Sequence, residues 1–173
     1  MQRLDKEKQV TDFPDVFGSA EERFCSFQSG GLLYGINILH VREVIAEPEF
    51  FQIHHASELI KGVMNIRGQI HLIIDFRTVC GHTVPLENTD ERVIIFKTSV
   101  TENLGILIDR IGEVIRVPAD RIEICPREIA SQGKTEYSAS DIITHIGKLD
   151  SQLLHIIDVQ NLAGHVRIQQ QEM

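Results

Sequence analysis

Tryptophan is absent from this chain of 173 residues and tyrosine occurs only twice, which leaves no aromatic platform for stacking nucleobases. Seventeen Lys and Arg stand against 25 Asp and Glu, giving a net charge of −8, and no two basic residues are adjacent. A phosphate backbone would meet repulsion instead of a basic patch, so no nucleic acid is expected as a partner. No apolar run approaches the roughly 20 residues of a membrane-spanning helix. The first 20 residues, MQRLDKEKQVTDFPDVFGSA, hold no apolar signal core. The expectation is a soluble, cytoplasmic protein with no direct membrane insertion. Three cysteines, Cys25, Cys80 and Cys125, are odd in number and widely spaced, which argues against a disulfide framework and against a four-ligand zinc site. Phosphate-binding loops, dinucleotide fingerprints and nucleophile elbows are also missing, so an enzyme is not expected.

What is present is a succession of short β-branched and apolar runs. RFCSF and LLYGINI flank Gln28-Ser29-Gly30-Gly31, a hairpin signal, and HVREVI, IRGQIHLIIDF, RVIIFKT, NLGILID, GEVIRV and QLLHIIDV follow. Brief helices are expected at HASELIKG (55–62), at DFRTVCG, at ADRIEIC (119–125) and at the closing DVQNLAGHVRIQQQ. Residues 1–20 show no hydrophobic period and read as a mobile tail. The class is all-β and barrel-like, with small helical additions.

The chain also repeats itself. YGINILHVREVI (34–45) set above LGILIDRIGEVI (104–115), an offset of 70, matches at six of twelve positions, including Gly35/Gly105 and Glu43/Glu113. QIHLIIDFRTVCG (69–81) set above QLLHIIDVQNLAG (152–164), an offset of 83, keeps the Gln, the Ile-Ile-Asp and the final Gly. Two ordered matches describe two copies of one module, the second enlarged within PREIASQGKTEYSAS. A single copy of roughly 60–70 residues buries little surface alone, so two small barrels sharing an interface are expected. The first module spans about 34–88 and the second about 92–164, with the N-terminal strands available to join the second. Within a folded unit of 21–165, residues 166–173 are left as a C-terminal tail. The copies differ at one place that matters: Asn65-Ile66-Arg67-Gly68 aligns with Lys148-Leu149-Asp150-Ser151. A group needed only to build the module would be the same in both, so Arg67 is specific to the first copy, while Glu43 recurs.

The order YGINILHVREVI, IKGVMNIRGQIHLIIDFR, NLGILIDRIGEVI, IGKLDSQLLHIIDVQNLA resembles the CheW-like domain family from about Arg23 to Leu162. The family's Gly-Val-x-Asn-Leu-Arg-Gly segment is nearly intact as Gly62–Gly68, and Val41-Arg42-Glu43-Val44 matches its Val-x-Glu segment. His54-His55-Ala56-Ser57 replaces the family's frequent Pro-x-Ala-Pro. The resemblance implies two SH3-like five-stranded β-barrels packed side by side, with short helices and a C-terminal helix. It also implies a stand-alone scaffold that couples the helical cytoplasmic tip of a chemoreceptor to the regulatory domain of a CheA-type histidine kinase.

Other candidates read as structural. Asp75 and Asp158 recur after Ile-Ile and suit helix capping more than acid–base work. His54-His55 with Cys80-x-His82 meets no ligand spacing, so neither metal nor cofactor is expected. His40, His71 and His155 fall in strand-like runs, and the thiols lack an activating neighbour. Under the resemblance, Ile38, Val41 and Val44 are candidates for the floor of a receptor-binding groove and Glu43, Asn65 and Arg67 for its rim. Asp109 and Arg110 are the candidates for contact with the kinase. Alternative readings are an adaptor for another two-component pathway, such as pilus motility or development, and a small-molecule-sensing module.

Overall fold

Gly30 and Gly31 take φ of 57° and 83°, the left-handed pair that a two-residue turn requires, and Ser29 lies opposite Leu32 as the hairpin closes. The computed structural model describes residues 20–82, 89–126 and 139–171. The chain runs β1 (Glu21–Ser29), β2 (Leu32–Asn37), a 3₁₀ turn (Ile38–His40), β3 (Val41–Ile45), β4 (Ile60–Ile66), β5 (Gln69–Asp75) and α1 (Phe76–Val79). It continues with β6 (Arg92–Phe96), β7 (Leu104–Ile108), β8 (Arg110–Pro118), a second 3₁₀ turn (Ala119–Arg121) and β9 (Ile122–Ile124). The last elements are α2 (Ala139–Ile142), β10 (Ile143–Lys148), β11 (Leu153–Ile157) and α3 (Val159–Gln171). The expected mobile tail, apart from Ala20, and most of PREIASQGKTEYSAS lie outside the described residues.

Two expected helices are corrected. HASELIKG makes a turn in which Ser57 Oγ accepts from Leu59 N at 3.1 Å, and β4 begins at Ile60. ADRIEIC gives one 3₁₀ turn and then a strand, because alternating Ile122-Glu123-Ile124 pairs with His145–Gly147 of β10. The closing helix runs to Gln171, beyond the boundary at 165, because Val166 is drawn into the core.

The strands form two sheets, in the orders β8-β1-β2-β11-β10-β9 and β3-β6-β7-β5-β4. Each keeps two edges, so curled open sheets replace the closed barrels expected. In the six-stranded sheet, the edges β8 and β9 are joined only by Ala119–Arg121. That link spans no more than about 14 Å, which obliges the sheet to curl back on itself.

The repeats exchange their first hairpins. β1 and β2 complete the sheet built by β8–β11, while β6 and β7 complete the one built by β3–β5. The matched positions confirm the duplication strand for strand: Gly35 pairs in parallel with Ile156, and Gly105 with Ile73. The N-terminal strands β1 and β2 lie in the same sheet as β8–β11. Tyr34–Asn37 goes with them, and β6 and β7 lie with β3–β5 in the other. Connection length gives the reason. β8 runs antiparallel to β1 and β1 antiparallel to β2, so the strand in that position is parallel to β2. A parallel return within one sheet needs a crossover of about a dozen residues. Only Ile38–His40 separates β2 from β3, and only Asp109 separates β7 from β8, so each hairpin must pass to the opposite sheet.

Three apolar cores follow. Met64, Ile66, Ile73, Val93, Ile95 and Leu107 fill the curl of the five-stranded sheet. Phe24, Val117, Leu154 and Ile156 fill the other. Between the sheets lies the largest cluster, which includes Phe27, Tyr34, Ile36, Ile74, Phe76, Ile94, Phe96 and Ile106 and takes in Val159, Leu162, Ala163 and Val166 of α3. Phe76 packs edge-on against Phe27 and Tyr34, with ring centroids at 5.1 and 4.9 Å. Asp75 Oδ1 accepts from Arg77 N at 2.9 Å, and Asp158 Oδ1 accepts from Gln160 N and Asn161 N at 2.8 and 3.0 Å. Both recurrent aspartates are helix caps.

Candidate functional site

Asn65-Ile66-Arg67-Gly68 closes the β4–β5 hairpin. Ile66 pairs with Gln69, and Arg67 and Gly68 take φ of 53° and 84°, the two positive values of a type I′ turn. Asn65 Oδ1 accepts from Gly68 N at 2.9 Å and fixes the turn. An arginine at the first of these positions carries a left-handed strain of about 1–2 kcal/mol. Its side chain, 72% exposed, donates from Nη2 to Glu43 Oε2 at 3.0 Å. Such an exposed pair is worth at most about 1 kcal/mol, so it does no more than offset the strain. Stability alone does not account for Arg67.

The pair links β4 to β3, the two edges of the five-stranded sheet. Glu43 also meets Arg42 Nε at 3.4 Å. A bulge between Val41 and Glu43 shifts the register, placing Val41 and Val44 on one face and Glu43 with Ile45 on the other. The predicted floor and rim residues therefore separate. Ile38, in the 3₁₀ turn and not on a strand, and Val41 are half-buried against the inter-sheet core. Val44 is exposed, as are Asn65 and Arg67.

Asp109 is corrected. It is 5% exposed, with Oδ1 accepting from Arg77 Nε at 2.5 Å and Oδ2 from Gly30 N at 2.9 Å. A buried carboxylate held from two sides is a structural group and presents nothing to a partner. Arg110, at the exposed start of β8, lies opposite Gln28. Beside Asp109, burial pushes the His82 imidazole below its ordinary range, the Asp109 carboxylate opposing and the Arg77 guanidinium adding to the shift. Burial lifts the Cys80 thiol to about 12, partly offset by a hydrogen bond with Tyr34.

Sequence reading missed Leu39, Phe51 and Ile53, which are 64%, 65% and 44% exposed. Phe51 pairs with Val63 on β4, at the place where Glu123 pairs with Ile146 on β10 in the second repeat. There Glu123 takes Lys148 at 2.5 Å and Asp150 takes Arg121 at 3.1 Å. The first repeat thus has an exposed phenylalanine where the second has a closed ion pair. The available signal was PEFFQI, two aromatic side chains in a stretch with no strand period. Among the described residues, no three His, Cys, Asp or Glu side chains converge as a metal would require, and no helix is long and apolar enough to cross a membrane.

The model of the CheW-like domain matches residues 23–167. The chain belongs to the CheW-like domain family. It is 30% identical to the chemotaxis protein CheW of Klebsiella aerogenes over 141 residues, covering 82% of this chain and 81% of that one. It is 27% identical over 159 residues to the chemotaxis protein CheW of Treponema pallidum, covering 90% of each. The solved structure of a scaffolding protein, TtCheW of Thermoanaerobacter tengcongensis, superposes with a TM-score of 0.68 at 26% identity, over 80% of this chain and 90% of that chain. CheW-like domains are non-enzymatic scaffolds of chemotaxis, and the chain is an adaptor of that class.

Proposed function

We propose that this protein joins the helical cytoplasmic tip of a chemoreceptor to the regulatory domain of a CheA-type histidine kinase, working in the cytoplasm at membrane receptor arrays. The observation that carries the reading is the asymmetry between repeats along the seam of the five-stranded sheet. Arg67 sits there in a strained turn, Glu43 holds it, and Leu39, Val44 and Phe51 stand exposed. A helical hairpin offers an apolar stripe bordered by polar side chains. Val44 with half-buried Val41 and Ile38 would receive the stripe on one face of the edge strand β3, while the exposed guanidinium of Arg67, held by Glu43 on the opposite face, would fix its register from across that edge. Asn65 shapes the turn that presents Arg67. The kinase contact is assigned to a different surface, where Arg110 begins the edge strand β8, and pairing there would be sheet to sheet. Such contacts are modest singly, and arrays multiply them through effective concentration.

The test is co-precipitation from an extract containing a soluble chemoreceptor fragment and the kinase, with wild type and Arg67→Asp side by side. Wild type should retain both partners and the variant should lose receptor. Equal recovery would overturn the assignment of Arg67.

A further inference from the structure

The chain crosses between the two sheets at Ile38–His40 and at Asp109. Leu39 and Asp109 are equivalent positions under the offset of 70, yet the first is 64% exposed and the second 5%. Around Asp109 stands a polar group that draws on both sheets. Arg77 and His82 come from α1 and the residues after it, on the five-stranded side, with His82 N donating to Arg77 O at 2.9 Å. Gly30 and Tyr34 come from the first hairpin, on the six-stranded side. Asp109 bridges Arg77 to Gly30 N. The Tyr34 hydroxyl meets His82 Nε2 at 3.0 Å. The His82 ring covers Gly30 so closely that a Cβ there would stand 2.2 Å from its Cγ.

The repeat-related place in the fold does without this group. Tyr34, Arg77, Cys80 and Asp109 correspond to Leu104, Gln160, Ala163 and Leu39 under the two offsets. The fold is therefore buildable with apolar or neutral side chains at all four places. Burying a charged pair where an apolar contact would serve is weak as a stabilising device, and its best-attested use is to select one arrangement among several.

We infer that the Tyr34–His82 and Arg77–Asp109 contacts form a joint that fixes the angle between the two sheets, and that these four are positioning residues for docking. The inference rests on the docking reading above. Its link to docking is geometric: Ile38 and Val41, at the other crossover, pack on the same inter-sheet core, so a change of angle moves the surface they form with Val44. An apolar core alone tolerates sliding, whereas a carboxylate held by one donor from each sheet does not.

The test gives the joint the residues that stand at the repeat-related positions, Arg77→Gln as in Gln160 and Asp109→Leu as in Leu39, which removes both charges together and leaves neither buried alone. Nitroxide labels at Ile70→Cys and Leu153→Cys, equivalent exposed positions on β5 and β11, report the distance between sheets, the three native thiols being buried. The expected result is cooperative unfolding close to wild type, a broadened distance distribution, and about tenfold weaker binding of a soluble chemoreceptor fragment by the unlabelled variant. A purely structural group would change stability and leave the distance alone. A distribution as narrow as wild type overturns the inference, and so does a broadened distribution with unchanged affinity. Should the double variant not fold, Tyr34→Phe removes one hydroxyl from the same joint and is judged by the same two readouts. Distances are measured without any partner. If wild-type protein fails to bind the fragment, the docking reading falls, while the distances still decide whether the joint holds the angle.

Discussion

Arg67 on the β4–β5 turn reaches Glu43 on β3 at 3.0 Å, closing a seam between the two edges of one sheet. The corresponding residue of the second repeat, Asp150, turns to Arg121, beside the edge strand β9 of its own sheet. Identical architecture with opposite charge at one turn separates what the fold needs from what has been added to it.

Arg67→Asp should leave the protein folded, with a stability loss below about 1 kcal/mol, since only an exposed pair is broken. Binding of a chemoreceptor fragment should weaken about tenfold or more, because the new carboxylate stands beside Glu43 and reverses the sign of the rim. Thermal unfolding and a binding titration check the two parts separately.

Arg67→Asn divides the two roles further. Asparagine accepts the left-handed backbone at φ 53° that arginine tolerates poorly. The urea midpoint should hold or rise by an amount equivalent to a few tenths of a kcal/mol, while receptor binding falls as it does for the aspartate variant. A turn residue kept for stability would show the two moving together.

Glycine at the matched positions faces different neighbours. A Cβ at Gly105 would stand 2.7 Å from Ile95 Cδ1, 2.9 Å from Ile73 Cδ1 and 3.0 Å from the Ile94 carbonyl oxygen. At Gly35 its three nearest neighbours would all be Leu154 side-chain atoms, at 3.0–3.1 Å. Gly105→Ala should cost about 1–3 kcal/mol as an overpacked core, and Gly35→Ala clearly less, because the leucine side chain can move aside. Denaturant titration of both variants gives the order.

The repeat, the β-class, both aspartate caps and the singular place of Arg67 were legible because each rests on local pattern or on comparison of one copy with the other. The hairpin exchange was not read, although its cause is in the sequence: three residues after Asn37 and one after Ile108 cannot carry a parallel crossover. Asp109 was misread because Arg77 and Gly30, which bury it, are 32 and 79 residues away. Leu39 and Phe51 were passed over since apolar residues flanking strands read as strand ends, and only the fold shows that these two face solvent. Arginine in a type I′ turn has no sequence signature, because propensity favours Asn, Asp or Gly there.

The buried joint also sets how stability varies with pH. Burial raises the Cys80 thiol to about 12 and raises Cys25 and Cys125 as well, whereas thiols of the unfolded chain titrate near 8.5. Below that value both states hold the thiol protons and the contribution is complete. Above it the unfolded chain releases protons that the native protein keeps, so stability falls as pH rises toward 12, by up to about 1.4 kcal/mol per unit from Cys80 alone. Tyr34, raised by burial, adds to the decline above about pH 10. His82, lowered by burial, acts on the other side: the unfolded imidazole takes a proton first, so stability falls as pH drops below about 6.5. Denaturant titrations at pH 6, 8 and 10 should place the maximum near 8. Cys80→Ala, the residue that the second repeat has as Ala163, should flatten the alkaline limb between 8.5 and 10, and an unchanged slope would show that the thiol does not govern it.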